Sequence, residues 1–273
     1  MSAPFSVREL LESNPQAKAH DSGDDAGSLP ELPVLPGADF SAAVAIEAAL
    51  SALTPADRLR WAWTRFGARA VIGTSFQPAG IATLHIAGTH GFALPAFTLD
   101  TGLLFPETIE LKARLERHLG RTIESIFPTQ TVEQQAAEFG PELWKREPDF
   151  CCQLRKVLPL HDRLMSVDCW ITGVRRDQSN GRATAPIAEV FTVPNTERRL
   201  WKLNVLADWS RDQVWSYLRE HQLPHNILHD RGYRSIGCWP CTRLTGAHED
   251  ERAGRWTGFD KTECGIHTSG SGI

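Results

Sequence analysis

Apolar and polar residues alternate along the chain in two patterns, one typical of helices and one typical of strands. Helical patterns cover residues 41–66, begin at Ala79 and at Pro106, and return around residues 210–221, where Ser210 is the expected N-cap. Short apolar runs predict strands at residues 69–75, 94–100, 121–127, 167–174 and 188–193. Strand and helix patterns therefore follow one another along most of the chain.

This alternation predicts an α/β fold with a Rossmann-like parallel sheet covered by helices. In such a sheet, ligands bind beyond the carboxyl ends of the strands. Three connecting loops lie at that edge of the predicted sheet, at residues 74–80, 99–108 and 172–183. We therefore expect the binding site among these loops.

The N-terminal 39 residues lack both patterns. They mix acidic residues, Gly and Pro with few large apolar ones, which predicts a disordered acidic arm over residues 1–39, followed by a folded domain over residues 40–250. The chain carries a formal net charge of −4, and the excess acid lies in the arm, so we expect no nucleic-acid binding through net charge. Neither a membrane span nor a signal peptide is evident, which predicts a cytoplasmic protein without membrane association.

The loop after the first predicted strand, "TSFQPAG" at residues 74–80, is a short turn into an apolar helix. Backbone N–H groups at such a turn can hold an anion, although Gly and Ser are also common there for steric reasons alone. The loop has neither of the usual Gly-rich ATPase and dinucleotide motifs, and it lacks a lysine and a metal-binding acid. Recognition of a nucleotide substrate is therefore favoured over ATP hydrolysis.

Cysteine spacing is the strongest chemical signal in the sequence. Cys151 and Cys152 form one pair and Cys238 and Cys241 a second, and two distant pairs of thiols suit zinc or an iron–sulfur cluster. Adjacent cysteines fit a cluster more easily than one tetrahedral zinc ion. A Cys-x-x-Cys pair can also be a redox dithiol, but the second pair favours ligation. Cys169 lies in an apolar strand and is expected to be a core residue.

Two basic residues follow the first cysteine pair. If "CCQLRK" begins a helix, Arg155 and Lys156 lie four positions after Cys151 and Cys152 and share their face. There they would offset the negative charge of a thiolate-bound cluster. The alternative is an ordinary solvated basic turn.

Several segments together resemble a known enzyme family. The segments "TSFQ", "LDTGLLFPET", "CC…RK", "TGVRRDQS", "IGCWPCTR" and "ERAGRW…KTECGIH" are similar to those of the thioredoxin-dependent adenylyl-sulfate reductases of sulfate assimilation, in the wider group with phosphoadenylyl-sulfate reductases. The resemblance runs from about residue 69 to residue 267. It implies an α/β fold of the adenine-nucleotide alpha-hydrolase type.

The resemblance also implies a mechanism. Cys151, Cys152, Cys238 and Cys241 would bind a 4Fe-4S cluster, a feature of the branch that prefers adenylyl sulfate. Cys264 would attack the sulfur of adenosine 5'-phosphosulfate, release AMP and hold the sulfur as S-sulfocysteine until reduced thioredoxin, or a thioredoxin-like donor, releases sulfite. A mobile tail over residues 251–273 would let both partners reach the thiol.

The same resemblance predicts the substrate-binding residues. A thiolate that attacks an anionic group needs nearby positive charge, and Asp100 would hold the ribose or order its own loop. The predicted set is Ser75, Phe76, Gln77, Asp100, Lys156, Arg175, Arg176, Arg252, Arg255 and His267, with Lys261 as a further candidate cation.

Other functions remain open at this point. The substrate could be the 3'-phosphorylated nucleotide, alone or in addition. An ATP-consuming thiolation enzyme would need a different phosphate loop, and a nucleotide-binding module with structural zinc would need no reactive tail. The sequence also leaves a homo-oligomer open.

Overall fold

A computed structural model describes residues 40–246, 248–261 and 263–267 of the protein. The arm predicted over residues 1–39 and the last six residues of the predicted tail lie outside these ranges. No helix within them is both long enough and apolar enough to cross a membrane.

A six-stranded sheet runs through the centre of the described structure, in the order β3-β2-β1-β4-β6-β5. Its strands are β1 (Ala70–Gly73), β2 (Ala96–Leu99), β3 (Glu124–Ile126), β4 (Cys169–Thr172), β5 (Ala188–Thr192) and β6 (Arg199–Asn204). In the central pairs, Ile72 of β1 lies opposite Ala96 of β2 and Ile171 of β4, and all three strands run parallel.

The prediction of a parallel sheet is confirmed for the four predicted strands β1, β2, β3 and β4, and β5 is the exception. It pairs with β6 in antiparallel register, Val190 opposite Trp201, because a short hairpin joins the two strands directly. The sequence did not predict β6. Its buried Lys202 and Asn204 interrupt the apolar run that would have marked it as a strand.

Helices cover the sheet as the α/β pattern predicts. They are α1 (Ala43–Ser51), α2 (Pro55–Phe66), α3 (Pro78–Thr89), α4 (Pro106–Leu119), α5 (Val132–Phe139), α6 (Leu143–Arg146), α7 (Pro148–Cys152), α8 (Leu158–Leu164) and α9 (Arg211–Glu220). A π-helical turn, Gln153–Val157, joins α7 to α8. Helix α9 begins where expected, since the Ser210 side chain accepts a hydrogen bond from the backbone N–H of Gln213.

The single helix predicted over residues 41–66 is wrong, because the chain breaks between α1 and α2. Thr54 caps α2 by accepting a hydrogen bond from the backbone N–H of Asp57 at 3.2 Å, and Pro55 takes the first helical position. Proline fits that position but cannot donate a hydrogen bond back to a preceding turn. The two residues therefore start a new helix instead of continuing the first.

Large apolar side chains from several strands form the core. Val71 of β1, Phe97 of β2, Trp170 of β4 and Phe191 of β5 pack together, with Leu160 of α8 against them. Cys169 is fully buried at the start of β4, as expected of a core residue. The sheet order reverses between β1 and β4, and such a switch point opens a crevice at the carboxyl ends of the strands.

Candidate active site

A cavity of about 170 Å³ lies at this switch point. All three loops expected at the carboxyl edge contribute to its lining, through residues such as Ser75, Thr101 and Gly173. The C-terminal segment contributes Cys264 and His267. We refer to this cavity and its lining as the cleft.

The loop after β1 shapes one wall of the cleft. Ser75 is exposed and lines it, whereas the side chain of Phe76 is buried in the core and is not among the lining residues. Phe76 has a left-handed φ of 56°, and its N–H donates to the Thr74 hydroxyl at 3.0 Å. Gln77 lines the cleft, and its side-chain amide makes two hydrogen bonds with the backbone of Ile236. It donates to the carbonyl at 3.1 Å and accepts from the N–H at 3.2 Å. The loop is therefore fastened to the segment that carries Cys238.

Two glycines bring the loop after β4 against the start of α3. A Cβ at Gly173 would lie 2.9 Å from the backbone nitrogen of Gly80. Only a residue without a side chain allows this approach. The first turn of α3 thereby forms part of the cleft.

Asp100 orders its own loop. Its carboxylate accepts a hydrogen bond from the backbone N–H of Gly102 at 2.9 Å, and Asp100 is not among the residues that line the cleft. Of the two roles expected for Asp100, the geometry favours the ordering of the loop.

The predicted arginines separate into two groups. Arg175 is buried in ion pairs with Asp177 at 2.9 Å and Glu251 at 3.1 Å, and Arg176 donates to the carbonyl of Ala185. Neither arginine lines the cleft. The cleft-lining cations are Lys156, Arg182, Arg252 and Arg255.

Arg182 was missed by the sequence reasoning. It lies in the predicted loop 172–183, beyond the "RRDQS" segment that drew attention to Arg175 and Arg176. Its guanidinium group donates to Glu263, with Nε 2.8 Å from Oε1 and Nη2 2.7 Å from Oε2. Arg252 Nη2 donates to the same carboxylate at 3.0 Å. The residue before Cys264 is thus bonded to two cations of the cleft.

The segment "ERAGR" folds back on the strand-like stretch before it. Arg243 N–H donates to the carbonyl of Gly254 at 2.9 Å, and Thr242 pairs with Arg255 in a short antiparallel bridge. A Cβ at Gly254 would lie 2.5 Å from the Arg243 carbonyl oxygen, so this position needs glycine. The turn directs Arg252 and Arg255 into the cleft.

Trp256 is a second residue that the sequence reasoning did not single out as a site residue. Its ring is buried, and the Cζ of Arg255 lies 4.6 Å from the ring centroid. Arg252, Lys261 and Lys156 lie 5.6, 5.3 and 6.0 Å from it. Cations over an indole face are attracted by its quadrupole. One ring therefore gathers four cations beside the cleft.

Cys264 is half-buried and lines the cleft. Lys156 lies close enough to interact with it: burial opposes the charge on the Lys156 ammonium, but the electrostatic effects of the cysteine side chains of Cys238, Cys152 and Cys264 outweigh burial and raise the Lys156 pKa. The lysine stays protonated at neutral pH. It is a cation available to stabilise a thiolate in the cleft.

His267 also lies in the cleft, stacked on Trp170 with ring centroids 5.3 Å apart and planes 7° apart. Its backbone carbonyl accepts a hydrogen bond from Lys202 Nζ at 3.1 Å. Burial, with the nearby charges of Arg182, Lys202 and Arg252, holds the His267 pKa well below its ordinary value. The imidazole is therefore neutral here and adds no positive charge to the cleft.

A smaller cavity adjoins the cleft and is lined by all four paired cysteines, Cys151, Cys152, Cys238 and Cys241. Each of them is a free thiol. Lys156 and Cys238 line both cavities. Within the described ranges, no three or more Cys, His, Asp or Glu side chains are arranged around a single metal-ion position.

The four thiols affect one another's protonation. Burial and the neighbouring thiolates raise the pKa of Cys151 to about 12, and the same causes raise the pKa of Cys241 to about 11. Burial also opposes ionisation of Cys238. The charge of Lys156 and a hydrogen bond from Thr101, whose Oγ1 is 3.2 Å from Sγ, nevertheless lower the Cys238 pKa.

The two basic residues of the π-helical turn both line the cavity of the four cysteines. Arg155 is buried there, where its Nε donates to the carbonyl of Thr101 and its Nη1 to Gln135 Oε1 at 3.0 Å. Lys156 alone of the two lines the cleft. Both are tied to the site, so the alternative of a solvated basic turn is wrong.

The sheet order and the crevice at its switch point define an α/β protein of the nucleotide-binding kind. The model of the phosphoadenosine phosphosulfate reductase domain family matches residues 69–244. The chain belongs to this family, and it is an oxidoreductase that acts on a sulfur group.

Relatives of known sequence agree with this placement. A protein of Salinibacter ruber named adenosine 5'-phosphosulfate reductase is 44% identical over 212 residues, which cover 77% of this chain and 82% of that one. The protein of the same name from Streptomyces coelicolor is 42% identical, over 78% of this chain and 88% of that one.

Solved structures show the same fold. The phosphoadenylyl-sulfate reductase of Candida auris, in a phosphate complex, superposes with a TM-score of 0.66 at 27% identity, over 75% of this chain and 98% of that one. The FMN adenylyltransferase of Candida glabrata, with FAD and pyrophosphate, has a TM-score of 0.53 at 11% identity, over 83% of this chain and 78% of that one. The latter likeness concerns the fold alone.

Proposed function

We propose that the protein reduces adenosine 5'-phosphosulfate to sulfite and AMP in assimilatory sulfate reduction. The observation that carries the proposal is the position of Cys264, a free thiol in a cleft at the switch point and among Lys156, Arg252 and Arg255. The names of the relatives from Salinibacter ruber and Streptomyces coelicolor support the choice of substrate.

In the proposed reaction, the Cys264 thiolate attacks the sulfur of the bound nucleotide. A bond forms between the two sulfur atoms, the bond from sulfur to the bridging oxygen breaks, and AMP leaves with the electron pair. The product is an S-sulfocysteine at Cys264. Cys264 is only half-buried, which leaves access to it for a second reactant.

A dithiol donor completes the cycle. One thiolate of reduced thioredoxin, or of a similar donor, attacks the Cys264 sulfur, and sulfite leaves with the electron pair of the broken sulfur–sulfur bond. The second thiol of the donor then resolves the mixed disulfide and returns Cys264 to the thiol. Two electrons pass from the donor to the sulfur that leaves as sulfite.

Positive side chains make both steps feasible. Lys156 places a positive charge in the cleft with Cys264 and offsets the repulsion between an attacking thiolate and an anionic substrate. Arg252 and Arg255 present guanidinium groups that suit phosphate and sulfonate oxygens. Donors held in place before the reaction stabilise the charge that develops on the leaving phosphate.

We further propose that Cys151, Cys152, Cys238 and Cys241 hold a 4Fe-4S cluster. An all-sulfur donor set around one cavity, without a disulfide, fits such a group. When bound, the cluster would supply negative charge next to Lys156 and tie α7 to the segment of Cys238 and Cys241. Structural zinc on the same four thiols is the alternative.

The intact mass of the protein after incubation with adenosine 5'-phosphosulfate, without any dithiol, tests the nucleophile. We expect the mass to increase by one SO3 unit, removable by reduced thioredoxin. Cys264→Ser should remain unmodified. Cys169→Ala, which removes a core thiol of β4, should still form the adduct.

Two results would contradict the proposal. Sulfite production by Cys264→Ser would rule out Cys264 as the nucleophile, and a clear preference for the 3'-phosphorylated nucleotide in parallel turnover assays would replace the substrate. That second substrate is the one named for the Candida auris structure. For the cofactor, anaerobically purified protein that is colourless and contains stoichiometric zinc would favour the alternative.

A further inference from the structure

The cleft carries more positive than negative side chains among its described lining residues. Four cations line it, whereas its acidic lining residue, Glu251, is already paired with the buried Arg175 at 3.1 Å. Charges withdrawn from water are costly unless they are paired. Such a cleft needs an anion when no substrate is bound.

Glu263 supplies that anion. Its carboxylate makes two parallel hydrogen bonds with Arg182, at 2.8 and 2.7 Å, and a third with Arg252 at 3.0 Å. The side chains of Arg182, Arg252 and Glu263 are only 11, 15 and 23% exposed. A bidentate arginine–carboxylate pair in partly buried surroundings is among the stronger polar contacts in proteins.

The two guanidinium groups are close enough to repel each other. Burial, and then the charge of Arg182, lowers the pKa of Arg252 to about 10, whereas Glu263 acts in the opposite direction. Removing the carboxylate without replacing it would take away one of the groups that offset this repulsion. A phosphate or sulfonate group presents oxygens that the same guanidinium forks can bind.

The residues after Cys264 are held by contacts that do not involve Glu263. Ile266 packs against the core cluster, and the carbonyl of His267 accepts a hydrogen bond from Lys202. Release of the Glu263 carboxylate would therefore free the neighbour of the reactive thiol without detaching the whole segment.

We propose that Glu263 is a positioning residue that fills the anion site between Arg182 and Arg252, and that the anionic end of the incoming nucleotide displaces it. The substrate class follows from the proposed function, on which this inference rests. In the empty protein, Glu263 holds Cys264 in the cleft. In the complex, the anionic end of the substrate binds Arg182 and Arg252, and the Cys264 thiol is free to approach the sulfur of the substrate.

The test compares anion binding with and without this carboxylate. Titration calorimetry of inorganic pyrophosphate and of AMP is carried out in a Cys264→Ser background, which blocks the proposed chemistry. Because Glu263→Gln removes an internal competitor, we expect both ligands to bind about tenfold more tightly. Glu263→Asp keeps the charge and should bind them like the parent protein.

Asp260→Asn is the matched control. Asp260 lies in the same segment and is exposed, so the same change from carboxylate to amide there should leave both affinities unchanged. Unchanged or weaker pyrophosphate binding by Glu263→Gln would overturn the proposal. Tighter pyrophosphate binding without any binding of AMP would support the anion exchange and contradict the proposed nucleotide substrate.

Steady-state kinetics add a readout that loss of structure would not mimic. With Cys264 intact, Glu263→Gln should lower KM for adenosine 5'-phosphosulfate and raise kcat/KM, because the internal competitor for the two arginines is lost. A KM that rises, with kcat reduced, would indicate a purely structural role and overturn the proposal.

Discussion

Gly237 and Trp256 hold a cation of the cleft in place, although neither residue carries a charge. The guanidinium group of Arg255 lies over the ring of Trp256, 4.6 Å from its centroid. The group also lies against Gly237, where an added Cβ would overlap it. The position of Arg255 is therefore set by one aromatic ring and by the absence of one side chain.

Replacement of Gly237 by alanine tests this arrangement. The added methyl group should push Arg255 away from the cleft, and a misplacement of about 1 Å can lower the rate by roughly 100-fold. We expect kcat/KM of Gly237→Ala for adenosine 5'-phosphosulfate to fall by roughly that factor while the circular dichroism spectrum stays unchanged.

Gly88 of α3 provides the control for the same substitution. A Cβ there would meet no atom within 4 Å. Gly88→Ala should leave kcat/KM unchanged and stabilise the helix by about 0.5–1 kcal/mol. Full activity in Gly237→Ala would show that the reaction does not require Arg255 at this place.

At the scale of elements, Arg58 joins two helices to the end of β6. The residue belongs to α2 and is 1% exposed. Its Nε donates to the carbonyl of Leu50 in α1 at 2.9 Å, and its Nη1 to the carbonyl of Val205 at 2.8 Å. Its guanidinium group also pairs with Asp208 at 2.7 Å. The Arg58 side chain thus provides a partner for the backbone carbonyls of Leu50 and Val205 and for the carboxylate of Asp208.

Arg58→Met should lower the free energy of unfolding by about 3 kcal/mol, because it leaves buried carbonyls without donors. Arg60→Met, in the same helix, removes only a partly exposed pair with Asp57 at 3.2 Å, and should cost less than about 1 kcal/mol. Urea unfolding followed by circular dichroism gives both values. Equal losses for the two variants would contradict the bridging role of Arg58.

The same pair predicts a dependence on pH. Burial alone would raise the Asp208 pKa, but the hydrogen bond and charge of Arg58 keep it below the ordinary 3.8. The contribution of the pair is therefore complete above pH 3.8 and is lost as the pH falls through the lower folded-state pKa. The stability difference between Arg58→Met and the parent protein should narrow over that range.

At the scale of the whole molecule, the site joins segments that are far apart in the chain. Cys151 and Cys152 at the end of α7 face the same cavity as Cys238 and Cys241, with Trp144 and Leu103 beside them. The central strands β1, β4 and β6 are instead held by their own pairing and by the core. The proposed cluster site and the sheet therefore have different sources of stability.

Removal of the proposed cluster should loosen one part of the molecule and spare the other. We expect faster hydrogen–deuterium exchange in residues 143–157 and 235–245, measured by mass spectrometry, with little change in β1, β4 and β6. Loss of protection throughout the sheet would mean that the four thiols hold the whole fold together. Unchanged exchange near the cysteines would contradict their role as ligands.

The sequence by itself determined the features that are written locally. The periodicity of apolar residues predicted four of the five parallel strands, all but β6. It also predicted the starts of α4 and α9 and the α/β class, because the period of apolar residues in a segment reflects how that segment is buried. The cysteine pairs and the ending "KTECGIH" indicated the family, because their residue types and spacing can be recognised in the sequence without knowledge of the fold.

The tertiary structure decided what depends on contacts between distant segments. It paired β5 with β6, buried Phe76, directed Arg175 toward Asp177 and Glu251, and brought Arg182 to Glu263. A charged side chain looks the same in the sequence whether it faces solvent, a buried partner or a ligand. Only the packing of the chain determines which of these environments it meets, because the cost of burying a charge is offset by partners that lie elsewhere in the sequence.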